Sequence, residues 1–216
     1  MEVINFAEKN SVINRFMAEL RDVNIQTDRI RFRRNLERIG EIMAYEISQR
    51  LAYSEKAVTT PLGTAHVNLP DDKVVLATIL RAGLPFHRGF LDCLDDAENA
   101  FVSAYRKYKD KLIFDFFIEY IASPRLDGKV LVITDPMLAT GGSMELSYKA
   151  LLTKGTPKSI HVASVIASRQ AIDYVREHFP DDTTVWVGAI DDTLDAHSYI
   201  VPGLGDAGDL AYGIKE

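Results

Sequence analysis

The sequence predicts an α/β protein built on a doubly wound, mostly parallel sheet, with helices at its N-terminal end and a β-hairpin lid. Three observations carry that expectation. Five stretches read as strands: 74–80 (VVLATIL), 101–106 (FVSAYR), 130–133 (VLVI), 159–167 (SIHVASVIA) and 184–190 (TVWVGAI). Most are continuous apolar runs rich in β-branched residues, the pattern of strands buried on both faces. Helix-patterned segments alternate with them, which is the signature of βαβ units. Three of the strands end in Arg81, Arg106 and Asp135, and open parallel sheets bind ligands outside the carboxyl ends of their strands.

Taken in order, the N-terminal region has a helical pattern, with Val12, Ile13, Phe16 and Leu20 on one face. A second helix is expected from an N-cap at Thr27 to about Leu51, with Ile30, Leu36, Ile39, Ile42, Met43 and Ile47 as its apolar face. Arg29, Arg31, Arg33, Arg34 and Arg38 on this helix read as a phosphate-facing or subunit-facing patch, or as a solvated face balanced by Asp28, Glu37 and Glu41. The solvated face is the preferred reading. Residues 58–60 and 65–69 flank Pro61-Leu62-Gly63 as in a hairpin. Pro85 suits the start of a helix running to Leu94. The aromatic stretch 112–121 reads as a long strand or hairpin. Further helices are expected from Met144 to Lys154, stopped by Gly155, and from Gln170 to Phe179. The segment 200–213, IVPGLGDAGDLAYG, reads as a glycine-rich loop.

A length of 216 residues suits one domain, 1–216. The net charge of −6 argues against generic nucleic-acid binding. The start, MEVINFAEKNS, lacks the basic flank and apolar stretch of a secretory signal, and no apolar run is long enough for a bilayer. A cytoplasmic protein with no membrane partner is expected. Cys93, the only cysteine, rules out an intrachain disulfide and a Cys-based zinc site, and reads as a small core residue. The five histidines, His66, His87, His161, His178 and His197, have no metal-ligand spacing.

The densest chemistry lies in 129–144, KVLVITDPMLATGGSM. A buried strand leads to an acidic tip at Asp135, then to the small-residue loop Thr140-Gly141-Gly142-Ser143 and a helix start. A loop with little side-chain bulk lets backbone N–H groups approach an anion, and the helix start adds partial positive charge. No lysine precedes Ser143, so the P-loop pattern GxxxxGK[ST] is absent. The spacing Gly203-x-Gly205-x-x-Gly208 matches a dinucleotide fingerprint formally, but no βαβ unit follows it.

The strand, aspartate and Thr-Gly-Gly-Ser loop are the pattern of phosphoribosyltransferases, although Pro136 stands where many of them carry a second acid. Together with ILRAGL at 79–84 and YIVPGLGDAGD at 199–209, the chain resembles uracil phosphoribosyltransferases from about residue 27 to 213. That resemblance implies conversion of uracil and 5-phosphoribosyl 1-pyrophosphate (PRPP) to uridine monophosphate (UMP) and pyrophosphate. It implies that Asp135, Pro136, Met137, Leu138, Ala139, Thr140, Gly141, Gly142 and Ser143 cradle the ribose 5-phosphate, with Asp135 on the ribose hydroxyls. Arg81 and Arg106 would meet the pyrophosphate end. Ile200, Gly205 and Ala207 would hold uracil largely through backbone groups, with Asp206 at the PRPP side of the base. Arg106 and Asp206 are the expected catalytic residues.

The resemblance also implies Mg²⁺ carried mainly by the pyrophosphate, with no protein ligand assigned. It implies a homodimer, and it makes GTP a candidate effector, as in some relatives. Residues 108–122 would form the lid over PRPP and 197–213 the base-binding loop. After Arg106, where that family usually has an acidic hairpin with Thr-Leu and a proline, this chain reads KYKDKLIFDFFIEYI. Its aromatic run could instead pack at a subunit interface. Two other readings stay open: a phosphoribosyltransferase for another base, and a non-catalytic regulator that binds PRPP or a nucleotide.

Overall fold

A computed structural model describes residues 1–108 and 114–215 of the chain. Its elements run β1 (Glu2–Asn5), a 3₁₀ turn (Phe6–Glu8), α1 (Ile13–Arg21), α2 (Arg29–Ser48), β2 (Tyr53–Thr60), β3 (Gly63–Pro70), β4 (Val74–Leu80), α3 (Gly83–Cys93), β5 (Glu98–Tyr108) and β6 (Phe114–Ala122). There follow β7 (Val130–Thr134), β8 (Met137–Leu138), α4 (Gly142–Leu152), β9 (Ser159–Ser168), α5 (Arg169–His178), β10 (Thr184–Asp191), β11 (Thr193–Leu194), β12 (Ile200–Val201) and α6 (Ala207–Tyr212).

The main sheet has the order β1-β10-β9-β7-β4-β5-β6, and the short β8 adds to β9. Every pairing is parallel except β5 with β6. The period of two along each strand divides its side chains between two cores. Leu76, Val132, Val165 and Trp186 pack with Leu36, Ile39 and Met43 of α2 and Phe86 and Phe90 of α3. Val75, Leu131, Ile133, Val162 and Val185 pack on the opposite face with Met144 and Leu151 of α4 and Ile172 and Val175 of α5. Burial on both faces explains the uninterrupted apolar runs.

Two glycines let α2 and α3 touch. A Cβ on Gly40 would run into the Phe86 carbonyl, and one on Gly89 into the Glu37 carbonyl. Backbone cannot swing aside as a long side chain can. Gly89→Ala is therefore expected to cost about 1–3 kcal/mol, read as a lower denaturation midpoint at unchanged slope.

Glu19 of α1 is buried, and it joins α1 to α2. It accepts hydrogen bonds from Arg31 Nε (2.9 Å) and Nη2 (2.6 Å), from Asn35 Nδ2 (2.8 Å) and from Arg15 Nε (3.3 Å).

Several expectations need correction. The N-terminal region is not all helical: β1 pairs in parallel with β10, a long-range partnership that its four residues do not announce. Val12 and Ile30 are off the apolar faces, and Ile30 is 75% exposed. Ile30 precedes Phe32 by about 200° of helix rotation, so it points away from the face that Phe32, Leu36 and Ile39 bury. The cap of α2 is Asp28, which accepts from Ile30 N and Arg31 N; Thr27 lies one position too early. The helix ends at Ser48, and α3 and α4 begin at Gly83 and Gly142, each two residues before the expected start. Cys93 is exposed, because it is the last residue of α3.

The arginine face of α2 is not merely solvated. Arg31 binds Glu19, Arg34 binds Glu37, Arg33 donates to the Ala211 carbonyl at 2.6 Å, and Arg38 lies over the Phe16 ring. The expected hairpins are present as backbone: β2 with β3, and β5 with β6 from Phe101↔Ala122 to Tyr108↔Phe114, with a register shift between Ser103 and Ala104. The tip of the expected lid, 109–113, lies outside the described residues.

Candidate functional site

The order of the strands reverses between β4 and β7. From β4 the chain moves outward to β5; from β7 it moves the other way, to β9 and β10. A crevice opens at such a switch point, with Arg81 after β4 on one rim and Asp135 after β7 on the other. The two strand ends are tied to each other: Thr134 Oγ1 donates to the Ala77 carbonyl at 3.1 Å. Gly83 is required here, since a Cβ would meet Thr78 Oγ1.

The loop 135–143 is fixed from below by β9 and α5. Asp135 N donates to the Ala163 carbonyl (3.1 Å), and Ile166 N donates to the Pro136 carbonyl (3.0 Å). Ser168 Oγ donates to the Ala139 carbonyl (2.5 Å) while accepting from Ala171 N as the cap of α5. Asp135 accepts from Met137 N at 3.2 Å. Pro136, Leu138 and Ala139 are buried, so they can offer a ligand chiefly backbone, whereas Thr140, Gly142 and Ser143 are part-exposed at the start of α4.

Gly141 has φ +87°, and its α-carbon lies on the Tyr174 ring, so an added Cβ would come within 2.5 Å of that ring. The Tyr174 hydroxyl donates to Glu145 Oε2 at 2.6 Å in the first turn of α4. That bond, with burial and the nearby Glu145 charge, pushes the Tyr174 hydroxyl up to about 12. Burial works against the charge of Glu145, but Lys149 and the Tyr174 hydroxyl outweigh it and hold its carboxyl below the usual range.

The segment 200–213 closes the crevice and contains a helix the sequence did not suggest. Asp206 caps α6 by accepting from Asp209 N at 3.0 Å. Ile200, Leu204 and Ala207 are buried beneath, while Gly205 is exposed with φ +91°. The Val201–Pro202 peptide is cis. The turn is anchored at its other end by α1 and β10. Arg21 makes a two-pronged pair with Asp191 (2.8 and 2.9 Å) and donates to the Gly203 carbonyl (3.0 Å). Asp191 in turn accepts from Gly203 N at 2.9 Å.

The two loops meet where Ala207 N approaches Met137 Sδ at 3.4 Å. Arg81 reaches the same region, donating to Asp209 Oδ1 (2.9 Å) and the Gly213 carbonyl (3.3 Å). Lys215 Nζ donates to Asp206 Oδ2 at 3.2 Å. Burial raises the Asp206 carboxyl, yet the Asp209 and Gly208 amides and the Lys215 ammonium together hold it below its ordinary value.

The structure thus brings together Arg81, the loop 135–143 and the residues Asp206 and Ala207. Arg106 is located by its backbone, on β5 in register with Phe116 of β6. The residues that brace the site were not foreseen: Arg21, Asp191, Ser168, Tyr174, Asp209 and Lys215. Of these, Asp209 alone had a local cue, its place in GDAGD. Among the described residues, no group of three His, Cys, Asp or Glu side chains could hold a metal ion, and no helix is long and apolar enough to cross a membrane.

The chain is similar to known proteins over its whole length. The family model described as uracil phosphoribosyltransferase matches residues 7–214. A curated relative named uracil phosphoribosyltransferase, from Porphyromonas gingivalis, is 68% identical over 215 residues, covering 100% of both chains. One of the same name from Methanothermobacter thermautotrophicus is 44% identical and covers 84% of this chain and 83% of its own. Among solved structures, the AQ2163 protein from Aquifex aeolicus superposes with a TM-score of 0.88 at 30% identity, covering 98% of each chain. A hypoxanthine phosphoribosyltransferase from Staphylococcus aureus shares the fold alone, with a TM-score of 0.52 at 13% identity over 86% of this chain and 83% of its own. A family-model match over residues 7–214 and a relative 68% identical over the full length mean that the chain belongs to the uracil phosphoribosyltransferase family.

Proposed function

We propose that this chain transfers the phosphoribosyl group of PRPP to N1 of uracil, releasing pyrophosphate and forming UMP for pyrimidine salvage. The observation that carries the reading is the junction of two loops at Ala207 N and Met137 Sδ. One loop has the small residues and helix start that suit a sugar phosphate; the other has exposed backbone that suits the polar edge of a base. Uracil offers two carbonyl acceptors and an N3–H donor. Fixed backbone groups that match this edge would leave a buried donor facing the amino group of cytosine, and such a mismatch discriminates steeply.

In this reading Thr140, Ser143 and the loop amides hold the 5-phosphate, and Asp135 receives the ribose hydroxyls. Arg81 and Arg106 neutralise the pyrophosphate as it leaves. The C1–O bond to pyrophosphate breaks as the bond to N1 forms, and positive charge gathers on the ribose. Asp206, held ionised, lies where that charge develops, so catalysis is positioning and electrostatic stabilisation. The donor set suits Mg²⁺ brought by the substrate: magnesium keeps waters and binds through phosphate oxygens, and needs few carboxylates. When bound it would offset charge on the pyrophosphate.

Residues 108–122 are assigned as the lid and 197–213 as the base loop, both within one domain spanning 1–216. The exposed apolar side chains of β2–β3, Val58, Val67 and Leu69 with Leu62 at the turn, support a homodimer. A cytoplasmic location and a GTP effector belong to the same proposal.

An assay with PRPP, Mg²⁺ and each free base in turn, following pyrophosphate release, tests it. Turnover with uracil is expected; turnover with another base alone, or PRPP binding with no turnover at all, would overturn it. Tyr174→Ala takes the support from Gly141 and is expected to raise the KM for PRPP about tenfold with little change in that for uracil. Tyr174→Phe keeps the ring and should stay within about threefold of wild type, since it gives up one hydrogen bond. Initial rates at varied PRPP check both.

A further inference from the structure

The segment after α6 folds back over the site instead of leaving it. Its course is fixed at three points. Gly213 O accepts from Arg81 Nη1 at 3.3 Å, Lys215 N donates to Asp209 Oδ1 at 3.4 Å, and Lys215 Nζ donates to Asp206 Oδ2 at 3.2 Å. The result is two ion pairs, Arg81 with Asp209 and Lys215 with Asp206, joined by the backbone N–H of Lys215 on Asp209. Both oxygens of Asp206 are thereby engaged: Oδ1 by Asp209 N and Oδ2 by Lys215. The carboxylate cannot turn about its last torsion without giving up one of them.

Lys215 has no packing reason to be there. Its side chain is 65% exposed, against 26% for that of Asp206. An exposed ammonium on a flexible stem adds little to folding. What it can do is hold the orientation of a partly buried carboxylate at the junction of the two loops.

We infer that Lys215 is a positioning residue of the phosphoribosyl transfer, acting through Asp206 by fixing the rotation of its carboxylate toward the ribose. This rests on the proposed function. It sets Lys215 apart from Arg81, which is assigned to the substrate itself. Since Lys215 works only through Asp206, its effect vanishes when Asp206 no longer carries a carboxylate.

A double-mutant cycle tests this. Lys215→Met is expected to lower kcat/KM for uracil about threefold to fivefold, at an unchanged melting temperature. Lys215→Arg, which keeps the charge, should restore most of it. In the Asp206→Asn background, Lys215→Met should cause no further loss. A carbon-detected NMR titration of the Asp206 carboxyl, without substrate, should show its midpoint moving up in Lys215→Met.

Equal kcat/KM for Lys215→Met and wild type would overturn the inference. So would losses that multiply with those of Asp206→Asn, which would mean Lys215 acts on substrate directly. A wild type that turns over no base, with the titration midpoint still moving, would instead overturn the proposed function and with it any part for Lys215 in turnover.

Discussion

Replacing Asp206 by Asn is expected to lower kcat by about a hundredfold or more while leaving the protein folded. The substitution divides the two duties of this residue. As the cap of α6, Asp206 needs only an oxygen to accept from Asp209 N, and Asn caps helices as well as Asp does. As a charge, in the proposed reading, it would face the ribose on which positive charge develops, and removing one preorganised electrostatic partner costs about 10²–10³ in rate. Single-turnover kinetics beside a thermal melt separate the two duties. A variant with wild-type kcat would remove Asp206 from the chemistry. A variant that melts many degrees lower would make the residue structural.

The second large effect concerns the fold. Glu19→Ala is expected to destabilise the protein by about 3 kcal/mol, because it leaves Asn35 buried without its acceptor and takes the partner from Arg31. Glu19→Gln keeps an acceptor of the same shape and should cost less. The charge also makes this a pH-dependent contact. Hydrogen bonds from Arg31 and Asn35 lead the causes that lower the Glu19 carboxyl from 4.5 to about 2, against a smaller opposing effect of burial. A carboxyl depressed in the folded state stabilises it above the unfolded value, and that contribution is lost as pH falls from about 4.5 toward 2. Denaturant midpoints across this window should fall for wild type, with a shallower fall for Glu19→Gln. Equal slopes would contradict the assignment.

The central sheet was legible because burial on both faces leaves a local mark. The runs 74–80, 130–133 and 159–167 are apolar at every pleat or nearly so, and the strand ends at Arg81 and Asp135 could be read from the same runs. The loop 135–143 was legible as a loop because Pro136 ends the strand and small residues stand together before the helix formers of α4. The braces were not, for a physical reason. Arg21 and Asp191 are 170 residues apart, and neither stands in a pattern that requires the other. Tyr174 supports Gly141 from a helix whose apolar face reads as ordinary core. The strand β1 and the helix α6 are too short for periodicity to show. Cys93 misled because cysteine's preference for the interior is statistical, while its place at the end of α3 is particular.

The anchoring of the two loops has a consequence for how the family can change. The loop 135–143 hangs on β9 and α5, through Ser168 and Tyr174; the closing loop hangs on α1 and β10, through Arg21 and Asp191. Between them run a weak sulfur contact and shared apolar packing of Met137 and Ala139 with Ile200, Leu204 and Ala207. Each half can therefore drift under selection without unseating the other. If the proposed roles of the two loops hold, a lineage could exchange one nucleobase for another by rebuilding the Arg21–Asp191 side, with the loop 135–143 inherited intact.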